Sequence, residues 1–163
     1  MDGPARSSRR KAAIPRSLCD PDGRRSILDR IAALTPGHPR RWGRMEPTQL
    51  LPHLASGLRL ALGERKLDGT PPGRIRGAIW RYLAIHRLPW PEGKIQSPPG
   101  AFSPPSLGWE RDRQVVVELV ERFVTTPPDR LAVIHPTFGR MRPRDWDVLQ
   151  YRHLDHHLRQ FGV

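Results

Sequence analysis

The chain has 163 residues, 37% of them hydrophobic and 27% charged, with a formal net charge of +12. That is the size of one ordinary domain able to bury a real core, and no apolar run is long enough to cross a bilayer, which excludes a transmembrane span. The positive charge is spread out (seven Arg/Lys against three Asp over residues 1–25, or +4, leaving +8 for the remainder). No RNP-type aromatic motif, Cys/His finger spacing or continuous basic helix accompanies it, so nonspecific affinity for polyanions is expected rather than a dedicated nucleic-acid function.

Residues 1–25 are polar and rich in Arg, Pro and Ser and read as a disordered basic extension; a domain over 26–163 follows. The first residues lack the apolar stretch of a secretory signal. The single cysteine, Cys19, permits no intramolecular disulfide and has no activating partner nearby in sequence, so a cytoplasmic protein without a cysteine nucleophile is expected. Ser26 reads as the N-cap of a helix with Ile27, Ile31 and Leu34 on one face, stopped by Thr35-Pro36-Gly37. A loop through Trp42 and Gly43 leads to a second helix from near Pro47 to Gly63. After a turn-rich connector from Leu67 to Gly73, Ile75, Ile79, Tyr82 and Leu83 mark a third helical face. Pro89 to Pro105 is rich in Pro and Gly and predicts a long irregular loop, a common place for function. Val115-Val116-Val117 would suit a strand, but length, the spacing of Val116, Leu119, Val120, Phe123 and Val124, and Glu118 and Arg122 four apart favour a helix from Glu110 to Thr125. Pro143 fits the first turn of a last helix running to Phe161. With five helical segments and no convincing strand pair, the chain is expected to be all-α.

Ligand-type side chains concentrate in His153-Leu154-Asp155-His156-His157. On a helical wheel with Leu154 at 0°, Leu158, Phe161 and Trp146 define a buried stripe; His157 at about −60° and His153 at about −100° flank it. His156, at about 200°, and Asp155, at about +100°, fall on the solvent side. Two imidazoles at i, i+4 can chelate one metal ion, with a third ligand from elsewhere. His53, near the start of the second helix beside Leu50, Leu54, Gly57 and Ala61, is the best candidate. Three histidines leave a coordination position open for water or substrate. Gln160, at about −120°, is placed to orient a ligand, and His135 is a second candidate for support behind the ligands. Leu154 follows His153, so the Glu of an H-E-x-x-H protease is missing. His38 and His86 read as surface or loop histidines. Trp42, Trp90 and Trp109 flank Pro/Gly loops and read as core anchors, with a pocket wall as the alternative.

The ending His135-Pro136-Thr137-Phe138-Gly139-Arg140-Met141, with Trp146 and Tyr151-Arg152-His153-Leu154-Asp155-His156-His157-Leu158-Arg159-Gln160-Phe161-Gly162, closely resembles a bacterial family of unknown function within the DinB-like superfamily. Trp42-Gly43-Arg44-Met45-Glu46-Pro47-Thr48-Gln49-Leu50-Leu51-Pro52-His53-Leu54 and Trp90-Pro91-Glu92-Gly93-Lys94-Ile95 agree in order. The resemblance implies a DinB/YfiT-type four-helix bundle with an extra helical segment, and a divalent metal, Zn or Ni, held by three histidines that fall on His53, His153 and His157. It implies a metal-dependent transferase using a low-molecular-weight thiol, or a metal-dependent hydrolase. The alternative is a non-catalytic bundle with structural metal or none, using its basic surface for an acidic partner; a homodimer is compatible with either. Two positions depart from the family pattern. Pro52 directly precedes the proposed ligand, so either the helix starts late or His53 is displaced. Arg142, where a Ser/Thr cap is usual, weakens the start of the last helix.

Overall fold

The computed structural model describes residues 17–65, 74–93 and 105–163, with the side chains of residues 74–76 left aside. Most of the Pro/Gly-rich loop, the connector after the second helix and the first sixteen residues therefore lie outside the described residues.

Helix α1 spans Pro21–Ala33, not the stretch after Ser26. Asp20 is the cap: its carboxylate accepts from the Gly23 N–H at 3.0 Å, and Pro21 occupies the first turn, where its missing donor costs nothing. Residues 17–25 thus belong to the folded domain rather than to an extension, and Leu18 is fully buried. Ile27, Ile31 and Leu34 form the predicted buried face.

Helix α2 spans Pro47–Ala61 and continues through Pro52. Neither expectation about Pro52 holds: the helix starts at Pro47, and His53 is not displaced from the other histidines. A proline here deletes one backbone bond and crowds the preceding turn, at a cost of about 3 kcal/mol. Burial outweighs this. Leu50, Leu51, Leu54 and Leu58 are all buried between α4 and α5, each contributing about 1.5–3 kcal/mol. Restoring the N–H with Pro52→Ala should stabilise the metal-free protein by about 1 kcal/mol in urea titration, because lost ring burial and added unfolded-state freedom offset most of the gain.

Helix α3, Arg74–Tyr82, continues into a π-helical turn, Leu83–Arg87, in which Leu88 donates to the Leu83 carbonyl at 2.7 Å. The predicted apolar face is not the buried one. Ile79, Tyr82 and Leu83 are exposed with Trp80, whereas Gly77, Ala84 and Ile85 are buried. Among the described residues α3 packs chiefly against the strand Gly139–Arg140 and reaches α5 through Arg81, while its π turn meets α5. Arg152 of α5 fixes that turn by donating to the carbonyls of Ala84 at 3.1 Å and Ile85 at 2.7 Å.

Helix α4, Trp109–Thr125, buries Val116, Leu119, Val120 and Phe123 of the predicted face, with Val124 only partly buried and Val115 buried in addition. Glu118 and Arg122 do not pair with each other; Arg122 meets Glu64, and Glu118 meets Arg111 at 3.8 Å. A short antiparallel pair, β1 (Ile134–His135) and β2 (Gly139–Arg140), corrects the expectation of no strands; Gly139 at φ 68° permits the tight return. His135 closes this turn, its Nδ1 accepting from the N–H groups of Thr137 at 3.0 Å and Phe138 at 3.3 Å.

Helix α5, Pro143–Gln160, begins more firmly than Arg142 suggests. Asp145 accepts from the Arg142 N–H at 3.1 Å and from its guanidinium at 3.1 and 3.2 Å. This buried carboxylate also meets Arg81 at 3.2 Å and His86 at 2.9 Å, so His86 is an inter-helix tie and not a free surface histidine. Burial alone would raise the Asp145 pKa, but the bonds from Arg142 and His86 hold it below the usual value. Asp155, expected in solvent, instead ties α5 to α1 through Arg30 at 2.7 Å. No helix among the described residues is long and apolar enough to cross a membrane.

Candidate metal centre

The packing of α2 against α5 brings three histidines from distant positions to one point. His53 Nε2 lies 3.0 Å from His153 Nε2 and 3.1 Å from His157 Nε2, and one ring nitrogen from each of the three residues lies within 4.8 Å of the others. His53 is 8% exposed, and the two α5 rings are half-buried beside Leu154 and Leu158, as the wheel implies.

The ring orientation is set from behind. His157 Nδ1 lies 2.9 Å from the Gln160 side-chain oxygen, and the Gln160 amide nitrogen donates to the Trp42 carbonyl at 2.8 Å. Because that carbonyl can only accept, Gln160 must present its oxygen to His157, which must then carry its proton on Nδ1. The lone pair of Nε2 is left facing the other two rings. Burial lowers the His53 pKa to about 4, helped by Arg65, and the His157 pKa to about 3, helped by His53. It also lowers His153 well below the ordinary value, with His157 and His53 adding to the effect. All three rings are neutral at pH 7 and hold the lone pairs that metal coordination requires.

The same geometry is awkward without a cation. Once His157 keeps its proton on Nδ1, a proton on His53 Nε2 satisfies one close nitrogen pair and not both. The buried His53 Nδ1 has no hydrogen-bond partner. A tetrahedral ion with nitrogens at about 2.05 Å sets them roughly 3.3 Å apart, a few tenths of an ångström beyond the two close spacings. The three imidazoles lie close enough together that they could hold one metal ion.

Gly57 has a role that the apolar pattern of α2 did not reveal. A Cβ there would stand 2.9 Å from both Cε1 and Nδ1 of His153, so only glycine lets that ring lie against the helix. Gly57→Ala should raise helix propensity by about 1 kcal/mol yet weaken metal binding about tenfold or more, a split readable by pairing urea denaturation with a zinc competition assay. Gln150, 2% exposed, packs in the same place and donates to the Gly57 carbonyl at 3.1 Å.

His156 stands apart from the three clustered histidines but is not solvated as the wheel suggests. Its ring sits between Trp42 at 5.9 Å and Trp90 at 5.8 Å and abuts His157 at 5.2 Å, and its Nδ1 is buried without a hydrogen-bond partner. It forms one wall of a cleft of about 330 Å³ bounded by Trp90, Glu92, Arg152 and Arg159. Trp90 thus acts as a pocket wall as well as a core anchor, whereas Trp109 packs on the core and does not line the cleft. A larger, more open groove of about 650 Å³ along α1 and α4 contains no histidine. His135 makes its hydrogen bonds to its own turn and none to a ligand ring; His38 caps a surface loop through Thr35. Partial burial, then the Asp147 carboxylate, pushes the Cys19 thiol up to about 11, so it stays protonated at neutral pH.

Comparison with protein-family models, with curated proteins and with solved structures finds no match.

Proposed function

We propose that this chain is a DinB-like four-helix bundle, built from α1, α2, α4 and α5, that binds one divalent metal ion, Zn or Ni, through His53, His153 and His157. The observation that carries the reading is the convergence of the three Nε2 atoms at 3.0 and 3.1 Å with His157 locked in the ligating tautomer by Gln160.

When bound, the metal supplies Lewis acidity, lowering the pKa of a thiol or water at its open position so that a nucleophile exists at neutral pH. The reaction we assign is metal-dependent transfer using a low-molecular-weight thiol, or hydrolysis. The chain's own residues contribute position and exclusion of water. Gln160 and the Trp42 carbonyl orient His157, Gly57 admits His153, and the cleft beside His156 receives the small-molecule substrate next to the ligand set.

Metal analysis of the purified protein and of its His53→Ala and His157→Ala variants tests this. One ion per chain is expected in the wild type and none in either variant. Wild-type protein that neither carries metal nor gains melting temperature on adding Zn or Ni would overturn it.

A further inference from the structure

The surroundings of the three histidines carry a charge pattern that bears on what binds at the open position. All three donors are neutral imidazoles, and no Asp, Glu or Cys joins the cluster among the described residues. Behind His157, where many histidine-bound metals have a carboxylate, stands the Gln160 amide, itself only 4% exposed. The carboxylates of α5 are engaged elsewhere. Asp145 holds Arg81, His86 and Arg142; Asp147 accepts from the Cys19 N–H at 2.9 Å; and Asp155 meets Arg30 and Arg159. Glu92, across the cleft, is taken by Arg159 at 2.7 Å. Among the described residues Arg65, from the loop after α2, adds positive potential at His53.

A divalent ion held here keeps its whole charge, because neither ligand nor supporting residue neutralises any of it. Charge interactions in a half-buried site are screened far less than in water, so that excess acts on whatever completes the coordination. Resting on the metal-centre reading, we propose that the open position selects a monoanionic ligand over a neutral one of similar size, and that Gln160, by being an amide, sets this preference. The substrate class is then one that presents an anionic donor atom to the metal, rather than a neutral carbonyl or amine.

The full chain loaded with cobalt(II), titrated with azide as the anionic probe and imidazole as the neutral one, tests this by visible absorption. Gln160→Glu keeps a hydrogen-bond acceptor for His157 but adds one negative charge. It should weaken azide by about tenfold or more while imidazole stays within about threefold. Arg65→Glu, on the loop beyond the helix and outside the ligand set, should move azide in the same direction by about threefold or more without moving imidazole, and it decides the matter where Gln160→Glu does not fold. Azide and imidazole weakening together in the variants, or neither changing while one cobalt per chain is still bound, would overturn the proposal. Wild-type chain that takes up no cobalt overturns the metal-centre reading itself, a result plainly distinct from the first.

Discussion

Replacing His157 by alanine should lower zinc affinity by about a thousandfold, on the order of 4 kcal/mol, and abolish the rise in melting temperature that zinc produces in the wild type. The magnitude follows from how this ligand is prepared. Gln160 and the Trp42 carbonyl hold its ring before any metal arrives, so little ordering is left to do on binding. Its loss leaves two donors, too few to hold an ion tightly against water. His156→Ala is the matched control. It deletes an imidazole from the adjacent position on α5, but that ring sits between Trp42 and Trp90 rather than among the three nitrogens. Its zinc affinity should stay within about threefold of wild type. A competition assay with a chromophoric chelator reads both. Tight binding of one ion by His157→Ala would remove this residue from the site, and equal losses in the two variants would mean that the helix rather than the ligand had been disturbed.

Acidification should separate metal affinity from stability. In a site of ordinary imidazoles, lowering the pH from about 7.5 to 5.5 protonates all three ligands and costs roughly a thousandfold in affinity. Burial holds His53 near 4 and His157 near 3, with His153 well below its usual value, so the folded site stays unprotonated through that range. Zinc affinity of the folded protein should therefore change by less than about threefold between these pH values. Stability behaves differently. The unfolded chain takes up protons on these histidines below about 6.5, whereas the folded chain refuses them until about 4 or lower. Their contribution is fully present above 6.5 and is lost as pH falls toward the folded values. For His53 alone, the gap from 6.5 to about 4 corresponds to about 3 kcal/mol. Urea titrations of metal-free protein at pH 7.5, 5.5 and 4.5 should show a progressive fall in midpoint. A midpoint independent of pH would mean that these rings are not desolvated, and zinc affinity collapsing below pH 6.5 would carry the same message.

Much of this was legible from residue spacing. The period of Val116, Leu119, Val120 and Phe123 marked α4 as a helix in spite of three consecutive valines, because burial on one face of a long segment outweighs local strand preference. The α5 wheel separated His153 and His157 from His156, since positions four apart share a face. It misjudged how far His156 and Asp155 stand from solvent, because a wheel describes one helix in isolation. Trp42, Trp90 and Arg30 come from other segments and cover that side. The start of α1 was missed for a local reason: Asp20-Pro21 is a cap followed by a first-turn proline, a stronger start signal than Ser26. The apolar face of α3 failed for a non-local one. Among the described residues the core is built chiefly from α1, α2, α4 and α5, and Ile79, Tyr82 and Leu83 stand exposed outside it.

The sequence by itself determined that His153 and His157 share one flank of the buried stripe of α5, because i, i+4 spacing and an apolar flank are properties of one helix. Only the tertiary structure decided that they meet His53. His53 lies a hundred positions from His153, and their approach depends on α2 holding its path through Pro52 and on Gly57 leaving room for a ring. The role of Gln160 divides the same way. Its place three residues after His157 is local, but the carbonyl that fixes its orientation comes from Trp42, across the fold.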